Sequence, residues 1–350
     1  MSDAPRFADA YAELLDSSLT PAMVRRVFDA IFAGAWTPTQ IAGFIAALRV
    51  KGETAPIVAA AARALRSAMV PVEHGLSRVL DTCGTGGDGL GTLNLSTGAA
   101  IMVAATGVPV AKHGNRASSS LTGSADVLEA MGIPIDLPPS VAASVLAEAG
   151  IAFLLAPLHH PAMRHAGAVR RELGVRTIFN LLGPLANPAG ATHQLVGAPD
   201  DTLRPILAAT LHELGTERAW VVRGVDGLDE MSPTGTTRIS VVTPSGVTET
   251  EIVPEDFGIE RMPLSAIRGG NPAFNARALE RVLRGEDEPS LDAFVLNAAA
   301  ALAIAEDLAP KDAARRIRDV VLSGMAQQTL ERWRETATAR RNSATVATPS

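Results

Sequence analysis

The glycine-rich segment at 81–89, Asp-Thr-Cys-Gly-Thr-Gly-Gly-Asp-Gly, is the part of this chain best suited to binding an anion. It follows a strand-like run at 77–80 and precedes the start of an apolar helix at 94–97. Glycines allow positive φ and a close approach of the backbone to a ligand, and a helix start offers unpaired N–H groups. The order of strand, glycine loop and helix predicts a phosphate-binding loop, although a glycine turn before a capped helix would look the same.

Two common nucleotide-binding loops do not fit this segment. A Walker loop needs Lys followed by Ser or Thr directly after its last glycine, where this chain has Asp88. Gly84, Gly86 and Gly89 match the spacing G-x-G-x-x-G, but the acidic residue that a dinucleotide site needs about 20 positions further on is missing. We therefore expect a phosphate ligand other than ATP or NAD, with Asp88 facing a sugar hydroxyl or a metal.

Cations, an amide and hydroxyl groups are concentrated at 112–120, Lys-His-Gly-Asn-Arg-Ala-Ser-Ser-Ser, directly after a strand predicted at 108–110. Open α/β sheets bind ligands at the carboxyl ends of their strands. Lys112 and Arg116 can neutralise a phosphate, and the serines can donate hydrogen bonds to it. The pattern favours a second part of an anion site over an ordinary polar loop.

Three further segments could contribute to a site. His159 and His160 precede a proline, which is more typical of packed or solvent-facing histidines, whereas a buried Arg170 would suit a carboxylate because a guanidinium grips two oxygens. The loop at 180–188 carries no titratable side chain, which indicates a geometric role. The acidic turn at 226–230 follows a strand and could hold Mg²⁺ with help from a phosphate, or simply face water.

Composition narrows the class of protein. The 350 residues are 47% hydrophobic with a net charge of -6, which is typical of a globular protein and argues against general attraction to nucleic acid or an anionic membrane. One cysteine excludes an intrachain disulfide and a multi-cysteine metal site. The N-terminus lacks the apolar part of a signal peptide, and the apolar stretches near 99–111 and 293–305 are too short or interrupted to span a bilayer. We expect a cytoplasmic protein.

The order of elements predicts an α/β fold. The first 74 residues read as helices, with capping threonines before prolines at 20–21 and 37–38. Strands predicted at 79–80, 108–110, 151–154, 195–197 and 219–222 alternate with helices at 94–106, 124–131, 139–149 and 200–214, which favours a mostly parallel central sheet flanked by helices. A hairpin is expected at 238–252, helices from 272 to 337 and a disordered tail at 338–350.

These motifs together closely resemble those of the anthranilate phosphoribosyltransferase family, and the likeness runs in order from about residue 8 to 335. The segments that carry it are 81–88, 94–97, 112–116, 123–129, 160–164, 176–188 and 227–230. The resemblance implies a small N-terminal helical domain at 1–75, with a helical contribution from about 161–176, beside a larger α/β domain at 76–337.

The same resemblance implies a reaction. Phosphoribose would pass from phosphoribosyl pyrophosphate to the amine of anthranilate, giving N-(5-phosphoribosyl)anthranilate and pyrophosphate in tryptophan biosynthesis. The expected cofactor is Mg²⁺, with two ions per subunit, and the expected assembly is a homodimer through the helical domain. Neither nucleic acid nor a membrane is expected as a partner.

Motif matching implies three groups of site residues. The phosphoribosyl pyrophosphate site would comprise Gly84, Gly87, Asp88, Thr92, Asn94, Leu95, Ser96, Thr97, Lys112, His113, Gly114, Asn115, Arg116, Ala117, Ser118, Ser119, Ser120 and Ser124. The anthranilate site would comprise Gly84, Asn115, Pro157, His160, Met163 and Arg170, with His113 beside the ring. Ser96, Asp229 and Glu230 would bind magnesium, and Lys112, His113 and Arg170 are the expected catalytic residues.

The expected chemistry is mainly electrostatic. Breaking the bond from ribose C1 to pyrophosphate puts negative charge on the leaving group, which magnesium, Lys112 and loop amides would stabilise. No general base is assigned, and His113 is the one nearby candidate. Two alternatives stay open: a pyrimidine nucleoside phosphorylase of the same fold, which would use inorganic phosphate, and a non-enzymatic nucleic-acid-binding relative, which would need a basic groove.

Overall fold

The computed structural model describes residues 4–86, 89–117, 121–286 and 288–346. The expected phosphate ligands Gly87, Asp88, Ser118, Ser119 and Ser120 lie outside these ranges.

The first part of the chain forms four helices within the described residues, α1 (Phe7–Leu15), α2 (Pro21–Phe32), α3 (Pro38–Lys51) and α4 (Ala55–Ala68). Two helix starts follow the predicted capping pattern. The Thr20 hydroxyl accepts a hydrogen bond from Met23 N, and Thr37 and Gln40 form a reciprocal capping box. These caps satisfy N–H groups that the helices leave unpaired, so the local sequence alone defines where α2 and α3 begin.

The strands form one seven-stranded sheet: β1 (Leu80–Gly84), β2 (Val110–Gly114), β3 (Ile151–Leu155), β4 (His193–Gly197), β5 (Arg218–Gly224), β6 (Thr237–Thr243) and β7 (Gly246–Ile252). Their order across the sheet is β3-β2-β1-β4-β5-β6-β7. The first five pair in parallel, and β6 and β7 continue the sheet as an antiparallel hairpin. The predictions of a mostly parallel sheet and of a hairpin at 238–252 are confirmed.

Helices lie between and after the strands: α5 (Leu95–Ala105), α6 (Ser124–Ala130), α7 (Pro139–Ala149), α8 (Ala156–His159), α9 (Arg164–Leu173), α10 (Phe179–Leu182), α11 (Leu203–Glu213), α12 (Pro272–Leu283), α13 (Leu291–Glu306), α14 (Pro310–Leu322) and α15 (Met325–Val346). Short 3₁₀ turns occur at Pro161–Met163, Gly183–Leu185, Pro254–Phe257 and Leu264–Ile267. In the part of the chain that the structure describes, none of these helices has the length and apolar character needed to cross a bilayer.

Two hydrophobic cores lie on opposite faces of the sheet. Leu195 and Val222 belong to one core, whereas their neighbours Val196 and Val221 belong to the other. Successive side chains of a strand point to opposite faces, so the two cores cover opposite faces of the sheet at β4 and β5. At β3 the first core takes residues from both faces, because Ile151 to Leu154 all belong to it. The first core holds α5 and α13 to α15, and the second continues without a break into α1 to α4. The helical part is therefore packed directly onto the sheet.

The strand order changes direction between β1 and β4. From β1 the chain continues to β2 and β3 on one side, whereas β4 and β5 continue on the other. Open α/β sheets bind ligands outside the carboxyl ends of the strands at such a point. Gly84 and Gly197 end the two strands side by side in register, so the glycine segment leaves the sheet where the topology favours a ligand.

The strands that lead into the site differ in position from the sequence prediction. β1 begins at Leu80 rather than 77 and runs to Gly84, and β2 runs to Gly114. Lys112 and His113 are therefore strand residues, because pairing with β3 continues to the end of β2. Glycine and charged residues are uncommon in strands, which is why the sequence pattern ends both strands too early.

The prediction of a disordered tail from residue 338 is wrong for residues 338–346. The last helix continues to Val346. Arg340 forms an ion pair with Glu148 of α7, and Arg341 lies 3.5 Å from Asp136. These partners are distant in sequence, so the absence of apolar periodicity after residue 337 gives no sign of them.

We predict that deleting residues 338–350 has little effect on stability. The described side chains of 338–344 are not buried, and exposed ion pairs contribute about 0 to 1 kcal/mol each. The unfolding temperature measured by circular dichroism should fall by about 4 °C or less. Deleting 325–350 removes Leu330 and Trp333 from the core and should prevent folding. An unfolded 1–337 protein would contradict the assignment of the core.

Candidate active site

A cleft of about 790 Å³ opens at the carboxyl ends of β1 and β2. Its walls come from the glycine segment, the end of β2, α8, α9 and the loop at 179–184. The predicted site residues that line it are Gly84, Ser96, Lys112, His113, Gly114, Asn115, Arg116, Ala117, Ser124, Pro157, His160, Met163 and Arg170. Segments far apart in sequence are thus brought to one place.

The acidic turn after β5 reaches the glycine segment. Gly86 N donates a hydrogen bond to Asp229 Oδ2 at 3.1 Å, and Ser96 N, in the first turn of α5, donates to Glu230 Oε1 at 3.3 Å. A Cβ atom on Gly197 would lie 1.7 Å from the Asp229 carbonyl oxygen, so only glycine permits this approach. The three residues predicted to bind metal therefore lie together.

This group suits magnesium better than a metal that needs a full set of protein ligands. The described residues contain no cluster of three or more His, Cys, Asp or Glu side chains able to hold a metal ion. Mg²⁺ is usually held by one or two carboxylates, with waters and phosphate oxygens completing its octahedron. Asp229, Glu230 and the Ser96 hydroxyl fit an ion that arrives with a diphosphate.

Lys112 is buried beneath the glycine segment. Its side chain is only 1% exposed, and Nζ donates to Thr82 O at 2.5 Å and to Ser96 Oγ at 3.2 Å. Burial lowers the pKa of Lys112 and raises that of the buried Asp81, and the attraction between the two opposes both shifts. Asp81 also accepts a hydrogen bond from His113 N at 3.1 Å. Lys112 thus fixes the end of β1 and the start of α5 while adding positive charge to the cleft.

Arg116 differs from the free cation that its sequence position suggests. Its guanidinium binds Glu129 at 2.8 Å and Asp126 at 3.2 Å, and the hydrogen bonds that it donates to Glu129 are the main reason that the pKa of Arg116 is raised. Asp126 also accepts hydrogen bonds from Ala117 N at 2.8 Å and Gly123 N at 2.9 Å. Arg116 is therefore held by two acidic side chains of α6, and these two carboxylates offset its charge.

Four residues predicted to bind phosphoribosyl pyrophosphate lie beside the cleft rather than in its wall. The Leu95 and Thr97 side chains are buried, so only their backbone could face a ligand. Thr92 forms an isolated bridge with Arg268. The side chain of Asn94 accepts a hydrogen bond from Asn275 Nδ2 at 2.9 Å. Asn94 thus meets a helix that the sequence does not connect with the site.

The loop at 180–188 has the geometric role that its composition indicates. Its main-chain and side-chain groups make four hydrogen bonds to three neighbouring elements, β2, β4 and α4. These run from His113 Nδ1 to Gly183 O at 3.1 Å, Gln194 Nε2 to Pro184 O at 2.8 Å, Arg66 Nε to Leu185 O at 2.7 Å and Asn187 Nδ2 to Ala111 O at 2.8 Å. These bonds hold the loop against β2 and orient the His113 ring.

Two histidines meet in the wall of the cleft. The rings of His113 and His160 lie 5.1 Å apart between centroids, and the residues are 6% and 5% exposed. Burial lowers the pKa of His113 to about 3, helped by His160, and burial together with His159 lowers the pKa of His160 to about 4. Both rings are neutral at neutral pH. Packing of His160 agrees with the reading that histidines beside a proline are packed.

Arg170 lies on α9 across the cleft. Its guanidinium carbon is 5.7 Å from the centroid of the Phe179 ring, a cation–π contact. Burial lowers the pKa of Arg170, without an opposing carboxylate among the described residues. Because a guanidinium stays charged in proteins, Arg170 presents a half-buried positive charge to the cleft.

Sequence reasoning gave no role to Arg176. Its Nη2 donates to Gly86 O at 2.9 Å, so Gly86 is held on one side by Arg176 and on the other by Asp229. Arg176 opens the Arg-Thr-Ile-Phe-Asn segment, which supplied part of the resemblance. Its place in that segment indicates that Arg176 has a role. The sequence could not predict that its partner is Gly86, 90 positions away.

Comparison with known proteins identifies the family. Residues 76–327 match the glycosyl transferase family, a/b domain, and residues 14–69 match the glycosyl transferase family, helical bundle domain. The chain is 51% identical over 281 residues to the anthranilate phosphoribosyltransferase of Rhizobium meliloti, covering 80% of this chain and 83% of that protein. It is 48% identical to the one from Symbiobacterium thermophilum, with 91% and 93% covered.

Solved structures agree. The crystal structure of anthranilate phosphoribosyltransferase from Thermus thermophilus has a TM-score of 0.89 at 42% identity, covering 94% of this chain and 99% of that one. The enzyme from Saccharomyces cerevisiae in complex with PRPP and Mg has a TM-score of 0.87 at 28% identity, covering 95% and 98%. The chain therefore belongs to the glycosyl transferases with a helical bundle and an α/β domain, and among them to the anthranilate phosphoribosyltransferase family.

The histidine pair predicts a loss of stability on acidification. The folded pKa values of about 3 and about 4 lie below the unfolded value of about 6.5, so below pH 6.5 the unfolded state binds more protons. The contribution of the two neutral histidines to the free energy of unfolding is complete above pH 6.5. It falls as the pH drops towards 4, by up to about 1.4 kcal/mol per pH unit for each histidine. From these two groups we expect the free energy of unfolding in urea to be about 2 to 4 kcal/mol lower at pH 5 than at pH 7.

A matched pair of variants checks the source of this effect. His160→Gln should remove about half of the pH dependence, because one of the two buried rings is lost. His212 is exposed and has no comparable burial, so His212→Gln should leave the dependence unchanged. Equal pH dependence in both variants would contradict the assignment to the buried pair.

Proposed function

We propose that this cleft transfers 5-phosphoribose from phosphoribosyl pyrophosphate to the amine of anthranilate, in tryptophan biosynthesis. The observation that carries the proposal is the contact of Asp229 and Glu230 with the glycine segment and the start of α5. Membership of the family supports it, as do the PRPP and Mg in one yeast complex and the 4-fluoroanthranilate in another.

The diphosphate of the donor would lie between the glycine segment and the acidic pair. Ser96 N points out of the first turn of α5, where the helix dipole favours an anion. Lys112 binds the Ser96 hydroxyl and Arg176 binds Gly86 O, so both side chains add positive charge next to these amides. The ligands implied at 87–88 and 118–120 complete the proposed site.

Asp229, Glu230 and Ser96 would hold magnesium. A bound Mg²⁺ supplies positive charge that stabilises the departing pyrophosphate. Because Asp229 and Glu230 lie against Gly86 and Ser96, they would keep that charge at the diphosphate end of the cleft. The acceptor would then approach from the other end of the cleft.

Anthranilate would occupy the wall opposite the diphosphate. Arg170 is a half-buried guanidinium whose missing partner is a carboxylate, which is what anthranilate carries. Apolar and neutral surfaces around it would contact the aromatic ring, from Asn115, Pro157, His160, Met163 and Phe179. The guanidinium would fix the carboxylate and so direct the neighbouring amine towards the sugar.

The reaction needs no strong base in this site. The bond from C1 to the diphosphate oxygen breaks with its electron pair leaving on pyrophosphate, and the amine nitrogen bonds to C1. The cationic nitrogen formed in this way then gives up a proton to the released pyrophosphate or to water. His113 Nδ1 faces Gly183 O, which can only accept, so Nδ1 carries the hydrogen and Nε2 is the acceptor. With a pKa of about 3, His113 can orient an amine N–H but is a poor base at neutral pH.

Finer features of the resemblance belong to the same proposal. We place two Mg²⁺ ions in each subunit and divide the chain into a helical domain at 1–75, with 161–176, and an α/β domain at 76–337. A homodimer would form through the helical domain, where Leu15 and Val50 are 49% and 88% exposed. We also propose a cytoplasmic location, where a charged phosphorylated donor would be available to the enzyme.

The proposed function predicts a specific loss of anthranilate fluorescence. The purified protein should consume anthranilate only when phosphoribosyl pyrophosphate and Mg²⁺ are both present. No consumption would overturn the proposal, and consumption without any divalent metal would contradict the role of the acidic pair. Cleavage of uridine or thymidine in phosphate buffer would instead support a nucleoside phosphorylase.

Arg170→Ala predicts a selective loss of acceptor binding. A charge-assisted hydrogen bond contributes about 1.5 to 3 kcal/mol, so the KM for anthranilate should rise by about 10- to 150-fold. The KM for the donor should change by about threefold or less, because Arg170 lies on the opposite wall. The neighbouring Arg171, which also lines the cleft but is exposed, provides the control Arg171→Ala. Equal effects on both substrates would contradict the assignment.

A further inference from the structure

Asn297 is a buried polar residue in an otherwise apolar stretch of helix. Every residue from Ala293 to Ala305 in α13 is buried, and Asn297 is the one among them with a polar side chain. Burying an amide costs free energy unless its donors and acceptor find partners. The partners of Asn297 therefore indicate why an amide stands at this position.

Those partners include Met231, the residue that directly follows the acidic turn. Met231 N donates to Asn297 Oδ1 at 3.0 Å, and Asn297 Nδ2 donates to Met231 O at 3.3 Å and to Ala293 O at 3.0 Å. One side-chain amide thus binds both main-chain groups of the residue that follows Glu230. The anchor is itself rigid, because Asn297 is fully buried and its Nδ2 is tied to its own helix.

The same helix supports the other half of the site. A Cβ atom on Gly98 of α5 would lie 2.3 Å from Phe294 Cδ1, so α5 and α13 are in close contact there. Phe294 precedes Asn297 by three positions, and residues at this spacing lie on one side of a helix. The helix α13 therefore meets α5 just after Ser96 and meets the acidic turn just after Glu230.

We propose that Asn297 is a positioning residue for the metal-binding carboxylates, an inference that rests on the proposed function. It fixes the main chain at Met231 so that Glu230 reaches Ser96 N at 3.3 Å. The turn is closed on its other side by Asp226, which accepts hydrogen bonds from Ser232 Oγ and Thr234 Oγ1 at 2.6 Å each. Without the Asn297 amide the turn would stay closed through Asp226. The distance between Glu230 and the first turn of α5 would no longer be fixed.

Asn275 provides a matched control. It is also a buried asparagine on a neighbouring helix, α12, with 2% exposure. Its Oδ1 accepts a hydrogen bond from Gly270 N at 2.7 Å and its Nδ2 donates to Asn94 Oδ1 at 2.9 Å, so neither partner belongs to the acidic turn. Substitution of either asparagine removes a buried amide, but the two amides support different parts of the site.

The test is the Mg²⁺ dependence of pyrophosphate binding, measured by titration calorimetry with inorganic pyrophosphate at a series of Mg²⁺ concentrations. Asn297→Leu keeps a similar volume in an apolar helix and should raise the Mg²⁺ concentration for half-maximal affinity by tenfold or more. Glu230→Gln should shift it in the same direction and sets the scale for a lost ligand. Asn275→Leu should leave it within twofold of the wild-type value, even where pyrophosphate binds more weakly.

Two results would overturn the proposal. One is a wild-type Mg²⁺ dependence in Asn297→Leu when circular dichroism shows a cooperative unfolding transition. The other is an equal shift in Asn275→Leu, which would make the effect a general consequence of losing a buried amide. If Asn297→Leu does not fold, Asn297→Asp replaces it in the test, because the aspartate retains an oxygen that can accept from Met231 N. Asn297→Asp should give a smaller shift in the same direction. A folded Asn297→Asp without that shift would also overturn the proposal.

Failure of the proposed function is distinguishable from failure of this inference. The former would appear in the wild-type protein, as no Mg²⁺-dependent pyrophosphate binding and no consumption of anthranilate. The latter would appear as a wild-type protein with both properties and an Asn297 variant that keeps its metal dependence.

Discussion

The contact between the acidic turn and the backbone amides of the glycine segment and α5 is the constraint on which this structure depends. Gly86 N and Ser96 N bind the carboxylates of Asp229 and Glu230 across the carboxyl ends of β1 and β4. Amides of this kind attract phosphate, whereas carboxylates repel it. In the proposed function, a diphosphate that brings Mg²⁺ would satisfy both groups, because the carboxylates would bind the metal and the amides would bind phosphate oxygens. A diphosphate without the metal would be repelled by the two carboxylates.

Much of the surrounding structure maintains this short approach. Gly197 leaves room for the Asp229 carbonyl, and Gly98 lets α5 lie against Phe294 of α13. Lys112 fills the space below, where its ammonium binds Thr82 O and Ser96 Oγ. The opposite wall contributes a different chemistry, with neutral histidines and the half-buried Arg170. The cleft therefore has a strongly polar end and a less polar end that carries one guanidinium, as the proposed binding of a diphosphate and an aromatic carboxylate would require.

The local sequence predicted most elements, and the motifs that carry the family resemblance predicted 13 of the residues that line the cleft. Thr37 and Gln40 define a helix start without any distant partner, and alternating apolar runs define the strands. Prediction failed where distant partners decide the outcome. Lys112 and His113 extend β2 because β3 pairs with them, and Arg340 extends the last helix because Glu148 lies beside it. Arg116 has the charge that the sequence suggests, but Glu129 and Asp126 already bind it.

The sequence by itself determined the kinds of chemistry available: a glycine segment and a helix start for an anion, two adjacent carboxylates for a hard cation and a guanidinium for a carboxylate. These are properties of residue types and short spacings, and they do not depend on the tertiary structure. Only the tertiary structure decided that Asp229 meets Gly86 143 positions away, and that Asn297 holds the turn that carries it. Such contacts depend on the order of strands in the sheet and on which helices pack across it, and both are set by burial of the whole chain rather than by any local pattern.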